Sequence, residues 1–343
     1  MNRVVVTFGE IMLRLSPPGF ERLLQSPVLL ATFGGGEANV AVSLAHFGLE
    51  SRYVTRLPSH AVGEAAVRAL RTEGVRTDFI VRGGERVGIY FAETGASQRP
   101  STVIYDRAHS AISRMAADAV DWNAVMAGAS WFHVTGITPA LGEAAAAATC
   151  AAVAAAKRAG ARVSVDLNYR RKLWTEQQAQ AAMRPLMRDV DVVIANEEDL
   201  QAALGVVVEG ADVASGALNV SGYRAAAERV TRDFGPRIVA VTLRESLSAS
   251  DNGWSALVWD ADAGVLHQSQ RFMVRLVDRI GGGDSFAAGL IYAVVTGRPL
   301  EQALRFAVAA SALKQTIPGD FNRVTVAEVD ALAAGDASGR VQR

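Results

Sequence analysis

Residues 279–286, RIGGGDSF, set three consecutive glycines directly before an aspartate, and an apolar stretch of helical character follows at once. A glycine run entering a helix lets backbone N–H groups converge on an anion, and the positive end of the helix adds to the field. Gly281, Gly282 and Gly283 supply such a loop, and Asp284 opens the helix. A tight turn with an acidic helix cap uses the same residue types. An oxyanion nest is a poor place for a carboxylate unless that carboxylate acts on the substrate. A low-pKa aspartate there can orient a hydroxyl and take its proton late in a phosphoryl transfer. The pattern G-x-x-x-x-G-K-[ST] is missing, so the loop is not a P-loop.

A second cluster, FGGGEANVAVSLAHFG at 33–48, fails as a dinucleotide fingerprint, because Asn39 stands where the third glycine belongs. Gly35 and Gly36 would instead let a polyhydroxy substrate lie against the backbone, with Asn39 on the first helical turn offering donor and acceptor. A helix start with close packing fits the same residues.

The elements that must position these groups are short β-branched runs at 4–8, 130–136, 161–167, 190–196 and 237–243. Helical patterns lie between them, near 37–47, 60–73, 141–159, 176–188, 197–204 and 221–234. Strands buried on both faces with helical crossovers predict an α/β fold with a largely parallel sheet. Two stretches break the rhythm with strand-like alternation and no helix between, 11–33 and 86–108. They read as a β lid inserted into a body formed by 1–10, 34–85 and 109–335, with 336–343 as a tail. Ligands of open α/β sheets bind outside the carboxyl ends of the strands, where such a lid would cover them. An edge used for subunit pairing is the other reading of the lid. Residues 205–222 read as a surface insertion.

The 343-residue chain has 35 Lys plus Arg and 35 Asp plus Glu, so no broad basic field exists to attract nucleic acid or an anionic membrane. Any anion must be bound by a local site. The single cysteine, Cys150, lies in an alanine-rich run and is expected to be a buried thiol; it excludes an internal disulfide. No apolar segment is long enough to span a bilayer, and the expectation is a soluble cytoplasmic protein.

The two glycine motifs, GGGEANVAVSLAHFG and VDRIGGGDSFAAGLIYAVVTG (277–297), resemble the paired signatures of the ribokinase-like (PfkB) carbohydrate kinases, in order and spacing over nearly the whole chain. The resemblance implies a three-layer α/β/α body with a small β-sheet lid, ATP as donor and Mg2+. It makes Asp284 the general base and the amides of Gly281 to Asp284 the anion hole. YDRAHSA (105–111), DLNYRRKLW (166–174) and TGITPAL (135–141) resemble the 2-keto-3-deoxygluconate kinases within that family. A sugar acid carries a carboxylate that guanidinium groups match bidentately. Arg107 on the lid and Arg170 after a strand would close on it, with Tyr90 and Tyr105 covering the chain; a fructokinase or another sugar kinase of the family is the alternative activity, and a catalytically silent sugar or nucleotide sensor on the same fold the alternative to an enzyme.

For the nucleotide, the same resemblance points to Asn168, Asn196, Thr242, Arg244 and the loop glycines Gly281 and Gly283. NEEDLQAALG (196–205) is similar to the family's N-x-x-E motif, which positions Mg2+ through water, but the fourth place is Asp199, one methylene shorter, with Glu198 as a substitute. Arg244 reads as a phosphate contact or as a lid on the nucleotide. TIPGDFN (316–322) makes Asp320 a substrate contact, with turn chemistry as the alternative. The resemblance leaves potassium near the segment starting at Asp278 as an open question, and the lid edges point to a homodimer or higher homo-oligomer.

Overall fold

The computed structural model describes residues 3–210, 219–336 and 339. Residues 211–218 of the insertion expected at 205–222, and most of the tail, lie outside the described residues. The chain begins with β1 (Val4–Phe8), β2 (Met12–Ser16) and β3 (Leu30–Gly34), then α1 (Gly36–His46) and β4 (Glu50–Val54). The short pair β5 (Arg56–Leu57) and β6 (Val81–Arg82) brackets α2 (Ala61–Thr72), and β7 (Ile89–Glu93) and β8 (Thr102–Asp106) follow. Next come α3 (Trp122–Met126), β9 (Ala129–Thr135), α4 (Ile137–Ala140), α5 (Glu143–Arg158) and β10 (Arg162–Asp166). After α6 (Glu176–Leu186) and β11 (Val192–Ala195), α7 (Glu197–Asp199) runs into a π turn at Leu200–Leu204. The last third holds α8 (Val220–Phe234), β12 (Ile238–Ser246), β13 (Asp251–Asp260), β14 (Val265–Gln268) and β15 (Phe272–Arg275). It ends with α9 (Gly282–Val295), α10 (Leu300–Lys314) and α11 (Val326–Ala333).

The central sheet has the order β14-β13-β12-β11-β10-β9-β1-β4, with β15 also paired to β13. From β4 to β12 every neighbour is parallel; β13 to β15 are antiparallel. Successive side chains of a strand face opposite ways, so Val4, Val6 and Phe8 pack toward α3, α5, α6 and α8, while Val5 joins the core under α1, α9, α10 and α11. The same alternation divides Val193 and Ala195 from Val192 and Ile194 on β11. This double burial is why the strands read as unbroken apolar runs, and it makes the body a three-layer α/β/α fold.

The four strands β3-β2-β7-β8 form a separate small sheet. α9 and α10 form a tight hairpin: a side chain on Gly289 would meet the Ala307 backbone at 2.8 Å, and the Ser311 hydroxyl donates to the Gly282 carbonyl at 2.6 Å. Cys150 corrects the expectation of a buried thiol. It is exposed on α5, whose buried stripe runs instead through Ala145, Ala148, Thr149, Ala152 and Val153 at helical spacing.

Candidate functional site

The carboxyl ends of β1, β9, β10, β11 and β12 meet the N-termini of α1 and α9 around a pocket of about 770 Å3, and Met12, Tyr90, Val103 and Tyr105 of the small sheet line its other side. This is the crevice where open α/β sheets place ligands. Every candidate residue named from the sequence, from Gly35 to Asp320, lines it.

α9 starts where it does because Gly281 takes φ 86, a left-handed conformation that glycine adopts freely. A Cβ there would strike the Asp320 carbonyl at 2.2 Å. The Gly282 amide bonds back to the Arg279 carbonyl at 3.3 Å, so it is not free for an anion as the four-amide reading required. The amides of Gly283 and Asp284 have no protein acceptor among the described residues, as expected for a first helical turn. Asp284 accepts a hydrogen bond from Asn39 Nδ2 at 2.7 Å, and Asn39 Oδ1 accepts from the Gly35 amide at 3.2 Å. The Asn39 amide thus holds Asp284 through Nδ2, which also reaches Asp320 at 3.5 Å, and is itself held through Oδ1 by Gly35. Gly35 permits this packing, since a Cβ would meet the Glu10 carbonyl at 2.0 Å; Gly36 faces Thr135 and Asp284. The expectation of a low-pKa aspartate is corrected: burial pushes Asp284 up to about 6, Asp320 adds to the rise, and Asn39, Arg170 and Lys314 oppose it.

At the small-sheet side, the buried Arg14 of β2 crosses to the body and bridges Asp278 at 2.6 Å and Asp320 at 2.7 Å. Against the burial that would lower it, Asp320 and Asp278 hold this guanidinium above its ordinary value. The Tyr90 hydroxyl is buried beside Asp320 without a well-formed hydrogen bond. Tyr105 stacks toward Tyr90 with centroids 5.9 Å apart, and the Arg107 guanidinium lies 5.4 Å from the Tyr105 ring centre. Arg107 pairs with the buried Glu10 just after β1, whose other carboxylate oxygen has no partner among the described residues.

Across the pocket the acids crowd. Asp166 ends β10, and burial, then the charges of Asp199 and Asp284, hold its carboxyl well above its ordinary value. Burial pushes Asp199 up to about 6, opposed by Arg170 and by the amides of Tyr169 and Asn196. Asp199 also closes a capping box with Asn196 at the start of α7. Its short side chain therefore has a structural task that the sequence did not reveal. Glu198 is exposed and lies 3.8 Å from Arg171. Glu37, fully buried and pushed up to about 7 by burial, accepts from Thr135 and Thr138 and ties α1 to the end of β9. Asn168 takes φ 40, strained backbone of the sort that collects at functional sites. Arg170 is exposed and donates to the Tyr169 carbonyl. Its charge acts on Asp166, Asp199 and Asp284, so it and Arg107 line one pocket with different partners. Among the described residues no three His, Cys, Asp or Glu side chains converge into a metal site.

A third group consists of donors without acceptors. Among the described residues, Arg279, two places before the glycine loop, has a buried Nε with no partner, as do Asn252 Nδ2 and Trp254 Nε1 on β13. Arg244 sits opposite Trp254 in the β12–β13 ladder, and Arg279 Nη2 donates to the side-chain Oδ1 of Asn252 at 3.4 Å. Burial, then the positive charge of Arg244, pull Arg279 below its ordinary value. Two guanidiniums with no carboxylate partner among the described residues, beside orphaned donors, suit an anion of several charges. Thr242 on the same strand makes a bond of only 3.5 Å to the Ala195 carbonyl. Sequence reasoning missed Arg279, Arg14, Glu10 and Glu37. Arg279 was signalled only by a cation two residues ahead of the glycines, and Arg14 by a charge between leucines in a strand.

A family model described as pfkB family carbohydrate kinase matches residues 2–323. The chain is 35% identical to a 2-dehydro-3-deoxygalactonokinase of Haloferax volcanii, over 98% of this chain and 99% of that one. It is 30% identical to a fructokinase of Klebsiella pneumoniae, over 85% and 84%. A crystal structure of 2-dehydro-3-deoxygluconokinase from Thermotoga maritima superposes with a TM-score of 0.93 at 50% identity, covering 97% and 100% of the two chains. With both glycine motifs placed at one pocket and the family model spanning nearly its full length, this chain belongs to the pfkB family of carbohydrate kinases.

Proposed function

We propose that the chain phosphorylates the terminal hydroxyl of 2-keto-3-deoxygluconate with ATP, giving 2-keto-3-deoxy-6-phosphogluconate and ADP. The observation that carries the reading is Asp284, fixed by Asn39 at a helix start with open amides, in a pocket whose other wall offers Arg107, Tyr90 and Tyr105. When bound, ATP supplies the phosphoryl group and Mg2+ offsets the charge of its phosphates. The orphaned donors of Arg279, Asn252 and Trp254, with Arg244, suit a triphosphate. The crowded carboxylates Asp166 and Asp199, with Glu198 nearby, suit a hydrated Mg2+ that keeps its waters.

Asp284 takes the proton of the terminal hydroxyl as that oxygen attacks, and its own amide with that of Gly283 faces the charge held beside it. Arg107, steadied by Glu10, and Arg170 receive the substrate carboxylate, while Tyr90 and Asp320 meet its hydroxyls. The small sheet acts as a lid over the sugar. The exposed Phe20, Leu24 and Val28 of the β2–β3 loop, with Leu30 and Ile104 of the sheet, support pairing of two copies through this part of the molecule. The enzyme belongs where ATP is made and used, in the cytoplasm.

Fructose phosphorylation is the second reading, favoured by the Klebsiella relative. Coupled ADP-release assays against 2-keto-3-deoxygluconate, its galactonate epimer and fructose separate the two. The keto-deoxy acid should give the highest kcat/KM. Arg107→Ala should cost it roughly 10- to 100-fold while sparing fructose, because only the acid loses a charged hydrogen bond. Equal loss on both substrates, or fructose as the best substrate, rejects the sugar-acid reading.

A further inference from the structure

Behind the glycine loop lies Lys314, the last residue of α10, with 0% of its surface exposed and no carboxylate in contact among the described residues. Its Nζ donates to three main-chain carbonyls, those of Asp278 at 3.3 Å, Ile317 at 3.4 Å and Gly319 at 2.6 Å. Three acceptors match the three protons of an ammonium, which accepts nothing. Burial pulls the group below its ordinary value, and the fields of Asp278 and Asp320 oppose that pull. A lysine that only capped α10 would reach the last carbonyls of that helix and keep its head in water. Lys314 instead gathers oxygens from two loops, one leading into Gly281 and one carrying Asp320.

Those loops are the wall of the phosphoryl site. The amides of Val277 and Asp278 both donate to the Gln315 carbonyl, and the Asp278 carboxylate accepts from the amides of Ile280 and Gly319. Lys314 Cε lies 3.1 Å from where a Cβ of Gly281 would stand. A cage of neutral carbonyl oxygens around one positive charge is the arrangement by which proteins hold dehydrated monovalent cations.

We infer that Lys314 is a tethered monovalent cation. Its ammonium fills the carbonyl cage that a potassium ion would otherwise occupy, fixes residues 278–284 so that the Gly283 and Asp284 amides face the pocket, and frees the reaction from added potassium. Lys314 is a positioning residue, acting through the loop. The inference rests on the kinase reading for its catalytic readout alone.

The test compares choline, lithium, potassium and ammonium chlorides at equal ionic strength. The wild-type chain should turn over at the same rate in all four, within about twofold. Lys314→Ala, which opens the cage, should lose roughly tenfold or more in kcat with little change in sugar KM, and potassium or ammonium, but not lithium, should restore it. Lys314→Met, which keeps the length and removes the charge, should lose activity without rescue. The melting temperature reports the same binding without catalysis: potassium should raise that of Lys314→Ala over choline and leave the wild type unmoved. Potassium activation of the wild type, or a folded Lys314→Ala that no cation restores or stabilises, overturns the inference. Should Lys314→Ala not fold, Lys314→Gln takes its place and the wild-type comparison decides. If no sugar is phosphorylated but the melting shift appears, the kinase reading fails and the tethered cation stands.

Discussion

Asp284 combines two demands, a carboxylate basic enough to take a proton and one still ionised at neutral pH. Burial raises it to about 6, while the hydrogen bond from Asn39 restrains the rise. The base works deprotonated, so kcat/KM should fall tenfold per pH unit below about 6 and level off above it. Asn39→Ala removes a bond that favours the charged form, so the acid limb should move to higher pH. Asp284→Asn should cost roughly 100- to 10,000-fold in kcat. Pre-steady-state or steady-state pH profiles check all three, and a limb unmoved by Asn39→Ala would show that the observed ionisation belongs to another group, such as Asp199. The residues proposed to react stood out in the sequence because glycine runs and a following acid are local patterns, and the structure gathers them in one pocket. Arg279 and Glu37 were not, since their meaning comes from β13 and from Thr135 and Thr138, each remote in sequence.

Among elements, β2 shows how one strand of the small sheet is bound to the body. Arg14 enters the body to meet Asp278 and Asp320, and removing it would leave two buried carboxylates without their cation. Arg14→Leu should therefore destabilise the fold by roughly 3–5 kcal/mol, seen as a lower urea midpoint with an unchanged slope. A loss below 1 kcal/mol would mean that water reaches the pair. The parallel strands and their helices announced themselves through period and β-branching. β13 to β15 did not, because antiparallel neighbours joined by short turns leave no helical spacer, and β13 is buried almost throughout instead of alternating. β4 was hidden by Glu50 and Arg52, which an edge strand tolerates.

At the scale of the molecule, the small sheet is a wall of the pocket, and its strands and the β2–β3 loop carry exposed apolar side chains. Leu24→Glu combined with Leu30→Glu should lower the sedimentation coefficient from that of a dimer to that of a monomer, with the sheet otherwise intact. A wild-type chain that sediments as a monomer at all concentrations would remove the pairing. The family was legible from two motifs 229 residues apart, counted from Gly48 at the end of the first to Val277 at the start of the second.

The tight hairpin of α9 and α10 has an electrostatic consequence. Two antiparallel helices in contact bring opposite macrodipole poles together, and here the negative pole of α10 ends beside the positive pole of α9. Left alone, the partial charges would cancel where the phosphoryl group must be held. A full positive charge on the last residue of α10 more than offsets that helix's pole, so the field at the start of α9 keeps its sign.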